Sequence, residues 1–171
     1  MKASELPKGE FHSYYRPYIE TLGDADLQGC LSDGLEHMQK FMEQLPENKI
    51  NFSYDKGKWT IGEVLMHLID TERIFQYRAL CFYRNDVTPL PGFNQDDYIS
   101  EAGANTKNKT DILKEYSAVR NSSMVLFQSF KEEFLSRSGT ASDSIMSVRA
   151  LGFIISGHQK HHLKILKERY F

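Results

Sequence analysis

The amino-acid sequence predicts an all-α protein, and three observations favour this class. Apolar residues recur at helical spacing over four long segments, and no segment shows the alternation of a strand. The chain has 171 residues, of which 40% are hydrophobic, and this is enough to bury a core. No repeat or linker divides it. The economical architecture is therefore a four-helix bundle that forms one domain over residues 1–171.

The first two predicted helices have recognisable boundary residues. The first covers residues 24–45, and Pro46 ends it. The second begins at Thr60, which has the spacing of a capping box with Glu63, and continues to about Tyr83. Helix capping therefore accounts for the acidic residue at position 63.

The third and fourth predicted helices fill the C-terminal part of the chain. The third starts near Thr110 or Asp111 and has apolar residues at helical spacing as far as Phe134. Gly139 and the polar residues after it end this helix. The fourth covers about 143–168.

The loop predicted between the second and third helices, Asn85 to Lys109, is unusually long for a bundle. A helix of about 24 residues is roughly 36 Å long. This crossover loop is long enough to return along the bundle, which favours an up-down-down-up order. The second and third helices would then run parallel, and the fourth would run antiparallel to the second.

The fourth helix contains two histidines, His158 and His162, at positions i and i+4. This spacing places both imidazoles on one helix face, where they can chelate a divalent metal if a third ligand is available. Both also lie on the apolar stripe, so a hydrogen-bonded pair of core histidines is the alternative. His161 shares their turn, and a slight rotation of the helix would let it replace a neighbour.

The third ligand candidate is His67, which lies about two turns from the start of the second helix. In antiparallel neighbouring helices it would lie at nearly the depth of the pair on the fourth helix. Three imidazoles leave positions for water or substrate, as in a catalytic metal site. Asp70, three residues further on, is the candidate to orient the rings, since metal-bound histidines usually have such a partner.

Composition excludes several classes of partner. The formal net charge is −2, which gives no electrostatic reason to expect nucleic acid. No apolar run is long enough to span a membrane, and the first twenty residues lack the apolar core of a signal peptide. Cys30 and Cys81 have no disulfide-framework spacing. The absence of such spacing predicts a protein of the reducing cytoplasm.

Three segments together resemble a known family. They are Lys58-Trp-Thr-Ile-Gly-Glu with the following His67-Leu-Ile-Asp-Thr-Glu-Arg, the loop Pro89 to Tyr98, and Gly157-His-Gln-Lys-His-His. With them the chain resembles the DinB/YfiT-like superfamily of four-helix-bundle metalloproteins. The resemblance implies an up-down-down-up bundle and a homodimer. It also implies a divalent transition metal, with zinc or nickel favoured, held by His67, His158 and His162.

Two hypotheses of function follow. The first is a metal-dependent enzyme of small-molecule chemistry, of the thiol S-transferase or hydrolase type, because some relatives use a low-molecular-weight thiol. The candidates for its pocket walls are Arg73, Arg78, Arg84 and the loop 93–98, with surface ion pairs as the alternative role of the three arginines. The alternative is a non-catalytic bundle in which the metal joins helices, serving as a stress-related binding or sensor protein.

Overall fold

The computed structural model describes residues 1–171 and contains six α-helices and one β-hairpin. Four long helices pack against one another as a four-helix bundle, so the predicted helical architecture is confirmed. The helices are α1 (Arg16–Glu20), α2 (Leu27–Gln44), α3 (Ile61–Tyr83), α4 (Gln95–Glu101), α5 (Lys109–Gln128) and α6 (Val148–Arg169), and the strands are β1 (Ser138–Ala141) and β2 (Ser144–Ser147).

Each long helix begins at a polar residue whose side chain accepts a hydrogen bond from the first turn. At α3 the capping box is present in full: Thr60 accepts from the Glu63 amide, and Glu63 Oε2 accepts from the Thr60 amide at 2.7 Å. Asp26, Asn108 and Ser147 cap α2, α5 and α6 in the same way. The predicted start of α3 is therefore confirmed, together with the structural role of Glu63.

The expectation that the chain has no strands is wrong for residues 138–147. They form an antiparallel hairpin in which Ala141 pairs with Ser144. Its two turn residues, Ser142 and Asp143, have φ of 51° and 57°, as a tight two-residue hairpin turn requires. The segment is rich in small polar residues, so it shows neither apolar alternation nor the usual Asn-Gly turn. For this reason α6 begins at Val148, five residues after the predicted start.

The third long helix is also shorter than predicted, because α5 ends at Gln128. The apolar residues beyond it serve a different purpose. Phe130 stacks on Tyr83 of α3 with ring centroids 3.9 Å apart, and Phe134 meets the same ring edge-on. Phe130 and Phe134 continue the helical spacing of α5 in the sequence, but they pack against Tyr83 from outside that helix.

The bundle core consists of two apolar clusters separated by a layer of polar side chains. Each long helix contributes one half to each cluster. In the layer between them, Arg120 of α5 donates to both oxygens of Glu72 of α3 at 2.8 Å, and both residues are buried. Gln159 of α6 donates to the Gly34 carbonyl of α2 at 2.7 Å and accepts from Tyr116 of α5 at 2.7 Å. The polar layer therefore connects all four helices.

The short helix α1 packs closely against α6 at Gly157. A Cβ at this glycine would lie 2.4 Å from the carbonyl oxygen of Tyr18. Because backbone cannot move aside as a side chain can, Gly157→Ala should lower the free energy of unfolding by about 1–3 kcal/mol. Urea denaturation measures this change. Gly9→Ala is the matched control, since nothing lies within 4 Å of its added Cβ; equal losses in both variants would contradict the prediction.

None of the helices combines the length and the apolar content that crossing a membrane requires.

Candidate metal centre

The histidine cluster lies between α3 and α6, beside the polar layer. His67 lies in the second turn of α3, and His158 and His162 lie on successive turns from the middle of α6 onwards. The first two are buried and His162 is half-buried. The structure therefore brings together the three histidines that sequence spacing selected.

The three rings point their Nε2 atoms at one another. The Nε2 of His158 lies 3.0 Å from the Nε2 of His67 and 3.0 Å from that of His162, and all ligand atoms of the cluster lie within 4.8 Å. Imidazole nitrogens at about 2.0–2.1 Å from a tetrahedral ion are separated by about 3.3 Å. One neutral nitrogen has either a proton or a lone pair, so His158 cannot form ideal hydrogen bonds with both neighbours. This donor set fits a shared cation.

The local environment keeps the rings uncharged. Burial lowers the pKa of His67 to about 4, and burial together with the nearby His67 lowers the pKa of His162 to about 3. For His158, burial and then the charge of His162 hold the pKa well below its usual range. The neutral ring is the form that binds a metal.

Thr71, rather than Asp70, is the side chain that contacts a ring nitrogen of the cluster. The Oγ1 of Thr71 lies 3.4 Å from the Nδ1 of His67, which leaves the Nε2 facing the other rings. Asp70 lies on a neighbouring face of α3, where its carboxylate is 3.4 Å from Arg73, and burial raises its pKa. The structure does not bring Asp70 to the histidines. The threonine is one helical turn after His67, a spacing that sequence analysis could have used.

Aromatic rings surround the cluster on two sides. The ring of Trp59 is centred 5.0 Å from that of His67, and the ring of Tyr18 is centred 5.6 Å from that of His158. His161 lies outside the cluster, with its ring centred 4.9 Å from the same tyrosine. His161 therefore does not take the place of either neighbour in this arrangement.

A cavity of about 270 Å³ borders the cluster and is lined by His67 and His158. One face of α3 forms its floor, because His67, Thr71, Phe75 and Arg78 follow one another at helical spacing. A larger groove of about 540 Å³ between α2 and α6 contains none of the three histidines. The smaller cavity is therefore the one relevant to the candidate centre.

The other walls come from segments far apart in the sequence. The expected loop contributes Phe93 to Asp96, and Arg78 also lines the cavity, whereas Arg73 and Arg84 do not. Sequence analysis missed Ser142 of the hairpin turn. It also missed Tyr14, Tyr15 and Tyr18, which line the same cavity.

Asp96 is the one carboxylate that lines the cavity. It is exposed at the start of α4, and its negative charge raises the pKa of His67, which partly opposes the effect of burial. The carboxylate is therefore close enough to the cluster to act electrostatically on it. No feature of the loop sequence indicates that Asp96, rather than its neighbour Asp97, would line the cavity.

A helical bundle with three convergent histidines beside a small cavity defines a class, that of four-helix-bundle proteins with a candidate metal centre. The chain belongs to the DinB superfamily, whose family model matches residues 31–166. YfiT from Bacillus subtilis is similar in structure, with a TM-score of 0.73 and 15% sequence identity over 83% of this chain and 82% of that chain. YfiT is described as a probable metal-dependent hydrolase with an unusual four-helix bundle topology. No curated protein sequence matches the chain.

The lowered pKa values predict how the stability of the metal-free protein depends on pH. Unfolded histidine titrates near 6.5, while folded His67 has a pKa of about 4. Between these values the unfolded chain binds more protons, so stability is complete above pH 6.5 and is lost as the pH falls towards 4. We expect His67 alone to account for a loss of about 3 kcal/mol.

Urea denaturation of chelator-treated protein from pH 7.5 to pH 4 measures this loss. Carboxylates also titrate in that range, so the comparison is between the wild type and His67→Gln, whose profile should be flatter. His37→Gln removes an exposed histidine and is the matched control. Parallel profiles for the wild type and His67→Gln would contradict the prediction.

Proposed function

We propose that this protein is a divalent-metal-dependent enzyme that hydrolyses a small molecule. One observation carries the proposal: three neutral imidazoles converge at the edge of a cavity that is large enough for a small ligand. His67, His158 and His162 would hold the metal. The description of YfiT as a probable metal-dependent hydrolase supports the same reaction class.

The residues around the cluster suit hydrolysis. When bound, a divalent cation supplies Lewis acidity and lowers the pKa of a water or thiol that it binds. Asp96 is the nearby carboxylate and would accept the proton that such a water releases. Thr71 would keep the Nε2 of His67 directed at the cluster. The aromatic walls would limit the access of bulk water.

A thiol transferase is the nearest alternative, since the same centre could hold a low-molecular-weight thiol. Asp96 favours hydrolysis, because a carboxylate is a suitable base for water, whereas a metal-bound thiol loses its proton readily without one.

The proposal is tested by metal analysis of protein purified without a histidine tag, followed by assays with nitrophenyl esters, amides and common cellular thiols. We expect bound metal, and hydrolysis that is lost on chelation and restored by Zn²⁺ or Ni²⁺. Asp96→Asn should lower the turnover number at unchanged metal content. Stoichiometric metal whose removal lowers the melting temperature sharply, with no turnover of any substrate, would favour the non-catalytic alternative.

The order of the helices, the single domain and the oligomeric state are also part of what we propose. We infer an up-down-down-up order in one domain, with the segment after α3 as the crossover. The pairs Glu72–Arg120 and Gln76–Ser123 support it, because their numbers increase together along α3 and α5, as in parallel helices. A homodimer is proposed from family resemblance, and its mass in solution is the test.

A further inference from the structure

Arg78 is a buried guanidinium that has no carboxylate partner. Only 2% of the residue is exposed, yet it forms no ion pair with any acidic side chain. Arg120, the other deeply buried arginine, is bonded to both oxygens of Glu72. A buried charge without a counter-charge is costly, so the isolation of Arg78 requires an explanation.

The hydrogen bonds of Arg78 fix its position without neutralising it. Its Nη2 donates to the Pro91 carbonyl at 3.0 Å and to the Ser142 hydroxyl at 2.9 Å. No protein group accepts from its Nε or Nη1, and both atoms keep some accessible surface, because every fully buried side-chain nitrogen has a hydrogen-bond partner. The Phe75 ring lies 5.5 Å from the guanidinium carbon. The loop before α4 and the hairpin turn thus hold one side of the guanidinium, and two of its nitrogens stay free to donate.

The free nitrogens belong to a side chain that lines the cavity of the histidine cluster. Arg78 is eleven residues after His67 on the same face of α3, which corresponds to about 16 Å along the helix. Asp96, the one carboxylate of the cavity, forms no ion pair with Arg78 and acts on His67 instead. Along α3, the residues that line the cavity therefore begin with His67 and end with Arg78, and Phe75 lies between them.

We propose that Arg78 binds the carboxylate of the substrate, whose class is a small carboxylic acid with an apolar body. A charge-assisted hydrogen bond supplies the missing counter-charge, and the rings of Tyr15, Phe75 and Phe93 accommodate the apolar part. The reacting bond then lies at the far end, beside the histidines. This assignment of a substrate class rests on the proposed function, but the binding step needs no metal.

Calorimetric titration of benzoate into chelator-treated protein tests the proposal. We expect binding that Arg78→Met weakens about tenfold or more, because that variant keeps the length of the side chain and removes its charge. Arg84→Met changes an exposed arginine outside the cavity and should leave the affinity unchanged. Benzamide, which has the same shape without the charge, and inorganic phosphate, which has no apolar body, should both bind more weakly than benzoate.

Equal affinity of the wild type and Arg78→Met for benzoate would overturn the proposal, as would tighter binding of benzamide or phosphate. If Arg78→Met does not fold, amide chemical-shift changes in the wild type decide the matter. Benzoate should shift the amides of Phe75, Phe93 and Ser142, and changes confined elsewhere would overturn the assignment. If the protein binds benzoate but contains no metal as purified and takes up neither Zn²⁺ nor Ni²⁺, the carboxylate site stands and the metal enzyme is rejected, so the two failures are distinguishable.

Discussion

Replacing His158 with alanine is expected to lower the affinity for Zn²⁺ or Ni²⁺ by more than about 100-fold. Changes at residues that merely orient a ligand already cost 10–100-fold, and this histidine is the central member of the cluster. The Nε2 of His158 lies 3.0 Å from the Nε2 atoms of both other rings. The alanine variant therefore keeps only two of the three candidate ligands and lacks the one that lies between them. Competition with a chelating dye measures the change.

The adjacent His161→Ala is the matched control for this experiment. His161 is on the same helical turn, but its ring packs against Tyr18 and contributes nothing to the cluster. We expect the metal affinity of the His161→Ala variant to equal that of the wild type. Stoichiometric, tightly held metal in His158→Ala, or an equal loss in the two variants, would reject the ligand assignment. Circular dichroism at the working temperature excludes unfolding as the cause.

What the sequence could predict of this site was determined by local spacing. The pair on α6 follows from positions i and i+4, and the start of α3 follows from the capping box, because both depend on residues within one turn. The convergence of His67 with that pair also follows, once two helices are assumed to be antiparallel neighbours. In the first two cases one helix fixes the relative positions of the residues, and the third case needs in addition only the relative direction of two neighbouring helices.

The parts that sequence analysis missed depend on contacts between distant segments. Asp70 and Thr71 are both within one turn of His67, and only the packing of α3 decides which of them contacts the ring. Ser142 reaches the cavity because a hairpin without strand-like alternation folds next to Pro91. Tyr18 reaches it because α1 packs against a glycine of α6. The placements of Ser142 and Tyr18 have no periodic signal in the sequence, whereas the one-turn spacing between His67 and Thr71 does.

The buried pair Glu72–Arg120 gives the largest expected effect on stability. Glu72→Gln keeps the shape of the side chain but leaves the guanidinium of Arg120, which is fully buried, without its counter-charge. Burial disfavours the charge on Arg120, yet the Glu72 carboxylate outweighs this effect and raises the pKa. We expect the variant to lose about 3–5 kcal/mol of unfolding free energy, measured by urea denaturation. Glu36→Gln breaks an exposed pair with Lys40 and should change little.

A double variant, Glu72→Met with Arg120→Met, shows whether the buried pair affects only the stability of the fold or also the affinity for metal. Replacing both charges with apolar groups of similar length removes the uncompensated charge, so much of the lost stability should return. Glu72 directly follows Thr71, the residue that contacts His67, and the polar layer holds α3 in register with α5 and α6. If the layer positions α3 for the metal centre, the double variant should regain stability but bind metal more weakly. Recovery of both properties would instead show that the pair has no role in aligning the three histidines.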